Sequence, residues 1–281
     1  MSHFTVLVIG DDIDNQLAPY NEQPDEDDQA CAEFLTWNGT DENGVEHHGD
    51  TKQEVIDEAT KAGSTIADGP YYYTSNAKWD WYVIGGRWRG FFKLKPGAEG
   101  VEGEHYSVEG RPGHVDQALK SAIDFEGMFT EAAEAAAERW DTAMKIFGEE
   151  PEQKSFQEIA DDPLHKDLTR DDIREMYWKQ PRCVLWNTAK EEMADEFTLG
   201  GWDSSPDVYL GDKESYIKQC KSNRIHTYAI LKDGEWIAKG EMGWFGMSDD
   251  NISDDEWAAK LLQLIEELPD DALLTLVDCH I

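Results

Sequence analysis

The sequence has few cysteines and no long apolar run. Its cysteines lie far apart and form no C-x-x-C pair, which argues against a disulfide framework and a zinc ribbon. No apolar stretch approaches the roughly 20 residues that a membrane-spanning helix needs, and no charged segment followed by an apolar one opens the chain. We therefore expect a soluble, cytoplasmic protein that binds no membrane. The cysteines are Cys31, Cys183, Cys220 and Cys279.

Basic side chains are scarce as well. Lys and Arg number 25 against 60 Asp and Glu, which gives a formal charge of −35, and residues 11–50 contain no Lys or Arg at all. Such a surface repels nucleic acids and anionic membranes, so we expect no direct nucleic-acid binding. The expected partner is a protein with a basic surface, a cation or a small ligand in a local basic site, although solubility alone also explains an acidic surface. The candidate partner-binding residues are Asp25, Glu26, Asp27, Asp28, Asp41 and Glu42.

Common catalytic motifs are missing from the chain. There is no G-x-G-x-x-G after a predicted strand, no G-x-x-x-x-G-K-[ST], no H-E-x-x-H and no G-x-S-x-G. These absences argue against dehydrogenases, nucleotide hydrolases with a P-loop, zinc proteases and α/β-hydrolases. No metal or cofactor is predicted, and a protein without catalysis is favoured.

The most distinctive stretch present is residues 76–95, NAKWDWYVIGGRWRGFFKLK. Aromatic and β-branched residues flank the pair Gly85-Gly86, a pattern typical of two strands joined by a tight turn. The stretch also holds five Lys and Arg against the single acid Asp80, so it is a basic island in an acidic chain. We predict a β-hairpin over these residues.

The remaining pattern predicts an α+β fold. Short apolar runs at residues 3–9 and 273–281 indicate buried strands, and Asp233-Gly234 predicts a hairpin over 226–241. The capping-box patterns Thr51-x-x-Glu54, Ser155-x-x-Glu158 and Ser253-x-x-Glu256 mark the starts of helices. We expect a mostly antiparallel sheet, ferredoxin-like halves and a helical middle region.

Three parts of the chain follow from this pattern. Residues 1–114 form an α+β part that includes an acidic loop at 11–50 and the hairpin at 76–95. Residues 115–222 form a mainly helical region, in which residues 182–186 alone suggest a strand. Residues 223–281 add a hairpin, a helix and a strand that complete the sheet.

Three segments carry a resemblance. They are the opening MSHFTVLVIG with Gln16-Leu17-Ala18-Pro19, the segment NAKWDWYVIGGRW with Ile123-Asp124-Phe125-Glu126-Gly127, and the ending GEMGWFGM…LPDDALLTLVDCHI. Together they resemble a set of uncharacterised proteins from bacteriophages, prophages and actinobacteria, and more weakly the ferredoxin-like domains of some phage and plasmid proteins. The resemblance implies a viral or mobile-element context, where small acidic proteins often disable host enzymes or defences. It supplies no catalytic residue.

The candidate ligand-binding residues belong to the basic island. An indole ring stacks on a nucleobase and a guanidinium group binds phosphate, so neighbouring Trp and Arg residues suit a nucleotide. In a strand, Trp79 and Trp81 share one face and Tyr82 takes the other, so at least one aromatic set belongs to the core. The alternative is therefore that the indoles are core residues and the arginines pair with acids. The candidates are Trp79, Trp81, Arg87, Trp88 and Arg89.

A second group of candidates lies at the C-terminus. In a strand, Asp278 and His280 point to the same face, where a carboxylate and an imidazole converge on a metal or act as acid and base. Glu241 is a candidate third member. The alternative is a hydrogen-bonded Asp–His pair at the end of a sheet.

Two functional hypotheses follow. The first is a non-enzymatic, acidic phage-type effector that inhibits a host protein, of the kind that acts on nucleic acid or in defence, by mimicking nucleic-acid charge in the host cytoplasm. The alternative is a nucleotide-binding protein or nucleotide-processing enzyme that uses the Trp/Arg segment with Asp278 and His280.

Overall fold

A computed structural model describes residues 2–22, 35–74, 76–104, 109–193, 197–199, 204–242 and 248–281. The chain divides into two compact units. Unit 1 comprises Met1–Phe125 and Ile225–Ile281, and unit 2 comprises Glu126–Arg224.

The described strands all belong to unit 1, and the sequence of the helical unit 2 is inserted between the two sequence segments of unit 1. In chain order the strands are β1 (His3–Ile9), β2 (Leu35–Asp41), β3 (Glu46–Gly49), β4 (Ile66–Thr74), β5 (Trp81–Ile84), β6 (Phe92–Lys93), β7 (His114–Val115), β8 (Gln117–Leu119), β9 (Ala229–Lys232), β10 (Glu235–Ala238), β11 (Gly240–Met242), β12 (Ser248–Asp250) and β13 (Leu273–His280). The helices are α1 (Ile13–Leu17), α2 (Lys52–Lys61), α3 (Phe125–Phe147), α4 (Phe156–Ala160), α5 (Arg170–Trp178), α6 (Pro181–Met193), α7 (Lys213–Ser222) and α8 (Asp254–Glu267).

The main sheet of unit 1 has the order β10-β9-β1-β13-β5, with β8 also paired to β13. Its central strands, β1 and β13, come from the two ends of the chain and run antiparallel. The predicted strands at residues 3–9 and 273–281 and the hairpin around Asp233-Gly234 are confirmed. A ferredoxin-like sheet is antiparallel throughout, whereas β1 pairs with β9 in parallel. The predicted ferredoxin-like halves therefore do not account for this pair of strands.

One face of the main sheet carries an apolar core. Side chains alternate along a strand, so Phe4, Val6 and Val8 of β1 point to the same side as Val277 and Cys279 of β13. The other face holds the remaining residues of these strands, which include His3, Asp278 and His280. The core cluster on the first face comprises Phe4, Val6, Val8, Leu17, Tyr20, Trp79, Ala229, Leu231, Val277 and Cys279.

Part of the acidic loop predicted at residues 11–50 belongs to a second sheet in the structure, whereas residues 23–34 lie outside the described residues. Strands β2, β3 and β4 form an antiparallel sheet in the order β3-β2-β4, and α1 covers residues 13–17. Helix α2 begins at the predicted capping box of Thr51 and Glu54 and buries Val55 and Ala59. The loop prediction was wrong for these residues because a run of acids is compatible with strands whose polar face meets water.

The prediction of a hairpin at residues 76–95 is wrong. Strand β5 pairs antiparallel with β13, Gly86–Trp88 forms a single 3₁₀ turn, and β6 pairs with β7. The two predicted arms therefore pair with different strands, the first with β13 at the far end of the chain and the second with the nearby β7. The paired glycines serve another purpose, which is a close approach of the backbone to two buried carboxylates.

Unit 2 is helical. Its core clusters gather aromatic side chains, with Trp140, Phe147, Trp186 and Tyr209 in one and Tyr177 in the other. The strand predicted at residues 182–186 is wrong, because these residues lie inside α6, where the apolar residues follow a helical period.

The predicted α+β class, with mostly antiparallel pairing and a helical middle region, is confirmed. Cys183, Cys220 and Cys279 are free thiols in the described part of the chain. Across the same residues, no helix combines the length and the apolar character needed to cross a membrane.

Candidate functional site

The pairing of β1, β13 and β5 brings together the three segments that carry the resemblance. His3 lies opposite His280, and His280 lies opposite Trp81 on the next strand. Asp278, two residues before His280, shares its face of the sheet. Asp80 directly precedes β5. We call His3, Asp80, Trp81, Asp278 and His280 the histidine cluster.

The first Asp–His pair joins the two central strands. Nδ1 of His3 lies 2.8 Å from Oδ1 of Asp278; the Asp278 side chain is buried, and that of His3 is 9% exposed. An ionised carboxylate only accepts hydrogen bonds, so Nδ1 of His3 donates in this pair. In the neutral form of such an imidazole the lone pair is at Nε2, which suits a general base or a metal ligand.

The second Asp–His pair has the same chemistry. Nδ1 of His280 lies 2.6 Å from Oδ1 of Asp80. Nε2 of His280 is shielded from solvent and has no hydrogen-bond partner among the residues that the structure describes. A buried imidazole nitrogen without a partner carries an energetic cost, and such groups are often found where a ligand or a reaction uses them.

The rings of the histidine cluster are in mutual contact. The centroids of His3 and His280 are 5.1 Å apart, edge to face. The Trp81 ring stacks on His280 at 5.0 Å with an interplanar angle of 14°, and it meets His3 edge-on. Trp81 is 44% exposed, so the cluster is buried on the sheet side and bounded by an indole at the surface.

Two buried aspartates clamp the turn that follows β5. Oδ2 of Asp278 accepts from the backbone N–H of Arg87 at 2.9 Å. Asp116 is fully buried and accepts from the backbone N–H groups of Gly90 (2.8 Å), Phe91 (3.0 Å) and Gly103 (2.9 Å). We call residues 85–91 the clamped turn.

Glycine is required at the clamped turn for two reasons. Gly85 and Gly86 both have positive φ, at 78° and 53°. A Cβ atom at Gly85 would lie 2.6 Å from Oδ2 of Asp116, and one at Gly86 would overlap the Asp278 carboxylate. The pair that predicted a hairpin thus allows the backbone to reach both carboxylates.

The structure separates the five predicted ligand-binding residues. Trp81, Arg87 and Trp88 are exposed. Trp79 is 7% exposed, belongs to the apolar core and donates its Nε1–H to the carbonyl of Leu17, so its assignment as a ligand residue was wrong. It precedes β5, so the strand alternation that placed it beside Trp81 does not apply.

Arg89 is engaged elsewhere. Its guanidinium group lies 2.7 Å from the carboxylate of Glu102, as the alternative of paired arginines predicted. The exposed members of the candidate set are therefore concentrated at β5 and at the start of the clamped turn.

Asp278 and His280 lie on one face, as the strand pattern predicted, but each has another partner. Asp278 bonds His3 and His280 bonds Asp80, so the predicted single pair is in fact two. Glu241 lies on β11, which pairs with β12 in a separate small sheet, and its side chain is exposed. Sequence reasoning missed His3, although its position in the first buried strand was a signal.

The predicted partner-binding residues are divided as well. Asp41 is buried and accepts from the backbone N–H groups of Asn43 and Val45, with Nε2 of His47 at 3.1 Å. Hydrogen bonds from the Ser64 hydroxyl, the Val45 amide and His47 hold the pKa of Asp41 well below its usual range. Asp41 therefore stabilises the β2–β3 turn and is not available to a partner.

Glu42, by contrast, is exposed, and its carboxylate accepts from Thr65. The other predicted members of this set, Asp25, Glu26, Asp27 and Asp28, lie outside the described residues.

Comparison with known proteins gives no relative. No protein-family model, no curated protein and no solved structure matches the chain. Function must therefore be inferred from the site itself. Among the residues that the structure describes, no group of three or more His, Cys, Asp or Glu side chains is placed to hold a metal ion.

Proposed function

We propose that the protein binds a small ligand of the nucleotide class at the histidine cluster and transfers protons to or from it. The observation that carries this proposal is the pair of Asp–His hydrogen bonds on adjacent strands, next to an exposed indole. A carboxylate at Nδ1 fixes the orientation and the tautomer of an imidazole, an arrangement widely used in general acid–base catalysis.

The neighbouring side chains favour a nucleotide. Trp81 is 44% exposed, and an exposed indole suits stacking on a base, a contact worth about 1–3 kcal/mol per base. The Arg87 guanidinium, which suits a phosphate group, is exposed, and its backbone is fixed by Asp278. A small ligand reaches such a local basic site even though the chain as a whole repels long nucleic acids.

A second candidate function is the acidic effector that docks on a basic surface of a host protein in the host cytoplasm. The distribution of charge supports it. Of the 60 Asp and Glu residues, 37 lie in unit 1, together with only 12 of the 25 Lys and Arg residues. Charge complementarity would make its association fast and sensitive to salt, whether the target acts on nucleic acid or in defence.

A thermal-shift screen separates the two candidates. We expect AMP, GMP or cyclic di-GMP to raise the melting temperature of the full chain, because a ligand at 100 times its Kd stabilises by about 2.7 kcal/mol. Arg87→Ala and Trp81→Ala are each expected to weaken binding about tenfold or more, since each removes a direct contact. Arg170→Ala, which removes the same charge from an exposed position of unit 2, is the control and should bind normally.

The opposite result is equally clear. If none of these nucleotides stabilises the protein, and the chain instead captures a basic protein in a salt-sensitive manner, the effector function replaces the nucleotide function. Equal binding by Arg87→Ala, Trp81→Ala and Arg170→Ala would show that the ligand does not bind at the histidine cluster.

A further inference from the structure

We infer that the histidine cluster hydrolyses a phosphodiester bond in a small nucleotide, with His3 and His280 as the two proton-transferring groups. This inference rests on the proposed function and adds the reaction. A hydrolysis of this kind needs one group that removes a proton from water and another that gives a proton to the leaving oxygen. The cluster supplies two imidazoles in neighbouring positions, and each has a carboxylate at its Nδ1, although the ring planes are 77° apart.

The equivalence of the two imidazoles is the main geometric support. Both use Nδ1 for a buried or half-buried carboxylate, at 2.8 Å for His3 and 2.6 Å for His280. Each therefore keeps Nε2 for another partner, and Nε2 of His280 has none in the described residues. Their ring centroids are 5.1 Å apart, close enough for both to act around one phosphorus atom.

The reaction balances without a redox partner. One neutral imidazole accepts a proton at Nε2 from a water molecule, whose oxygen attacks phosphorus. The bond between phosphorus and the ester oxygen breaks, and that oxygen takes a proton from Nε2 of the other, protonated imidazole. The products are a phosphomonoester and an alcohol, and the two imidazoles have exchanged protonation states, which a further proton transfer from one imidazole to the other restores.

The clamped turn connects the proposed phosphate-binding residue, Arg87, to the proton-transferring residue His3. The Asp278 carboxylate bonds His3 through one oxygen and the backbone of Arg87 through the other. A phosphate held by the Arg87 side chain would thus be positioned relative to His3 by a single rigid group. The guanidinium would also stabilise the charge that develops on the phosphoryl oxygens. Asp278 and Asp80 are positioning residues, because they act through the imidazoles.

The test is turnover by the full chain in the presence of excess EDTA. Cyclic AMP, cyclic GMP and cyclic di-GMP serve as probes, and ³¹P NMR detects the phosphomonoester product. We expect His3→Gln and His280→Gln to lower kcat by about 100-fold or more, which is the usual range for a lost general acid or base. His48→Gln, at an exposed histidine outside the cluster, is the control and should keep the full rate.

The variant Asp80→Asn provides a second test if a histidine variant fails to fold. Asp80 lies at the edge of the cluster, with its side chain 29% exposed, so the fold should tolerate the change. We expect kcat to fall about tenfold or more with KM unchanged, because the amide no longer fixes the tautomer of His280. A merely structural role would lower the melting temperature and leave kcat of the folded protein unchanged.

The outcomes distinguish the reaction from the binding function. Nucleotide binding without turnover would overturn hydrolysis and leave the proposed function standing, whereas no binding by any probe would overturn both. Turnover at the wild-type rate in both His3→Gln and His280→Gln would overturn the assignment of these residues. Loss of turnover on addition of EDTA would overturn a reaction carried by the two imidazoles alone.

Discussion

Replacing Asp116 with alanine is expected to lower the free energy of unfolding of unit 1 by about 3–5 kcal/mol. The Asp116 carboxylate is the acceptor for three backbone N–H groups, those of Gly90, Phe91 and Gly103. The side chain is fully buried, so water cannot replace it without rearrangement of the loops. Each buried donor left without an acceptor costs about 1–3 kcal/mol.

Urea titration followed by tryptophan fluorescence measures this loss. Asp271→Ala is the matched control, because it removes the same charge from an exposed position of the same unit. A surface change of this kind should shift the free energy of unfolding by no more than about 0.5 kcal/mol. Equal stability of the Asp116 and Asp271 variants would show that the clamped turn does not depend on the buried carboxylate.

The second large effect is expected at Gly85. Gly85→Ala should cost about 1–3 kcal/mol more than Gly97→Ala, since it adds an overpacking penalty to the penalty for positive φ. The two glycines have the same φ of 78°. A Cβ atom at Gly85 would lie 2.6 Å from Oδ2 of Asp116, whereas one at Gly97 has no heavy atom within 4 Å.

This pair of variants separates backbone strain from crowding. Both have the same φ, so their difference in urea midpoint reports mainly the crowding at Gly85, by the Asp116 carboxylate and the Cα atom of Gly103. We also expect Gly85→Ala to impair nucleotide binding, because Arg87 is carried by the same turn. Identical midpoints for the two alanine variants would contradict the close approach of Gly85 to the carboxylate.

Elements fixed by local chemistry were predictable from the sequence. The hairpin at Asp233-Gly234 depends on two residues that accept a tight turn, and both have positive φ in the structure. The capping boxes at Thr51, Ser155 and Ser253 form as predicted, because each needs only a hydroxyl and a glutamate three residues apart.

Elements fixed by distant partners were not predictable. Gly85-Gly86 carries a strong local hairpin signal, yet β5 pairs with β13, nearly 200 residues away. The sequence around Asp116 does not predict a buried carboxylate. The three backbone N–H groups that bind it belong to glycine-rich loops in other parts of the chain. Tertiary pairing overrode local preference here, as it commonly does in sheets.

The candidate site was predictable only in part for the same reason. Strand alternation placed Asp278 and His280 on one face, and this needs only a period of two. Their partners His3 and Asp80 depend on the register of β1 and β5 against β13, which the sequence does not specify. Trp79 and Asp41 were predicted to bind a ligand and a partner, because their residue types suit a binding surface. In the structure both are buried by their neighbours.

The tautomers of His3 and His280 test the central assignment most directly. Long-range ¹H–¹⁵N spectra of the ¹⁵N-labelled protein distinguish a proton on Nδ1 from one on Nε2, and His3→Gln and His280→Gln assign the signals. We expect both neutral rings to carry the proton on Nδ1, with Nε2 signals that shift when a nucleotide is added. Protons on Nε2 in both rings, or Nε2 signals that no nucleotide moves, would contradict a site built from two Asp–His pairs.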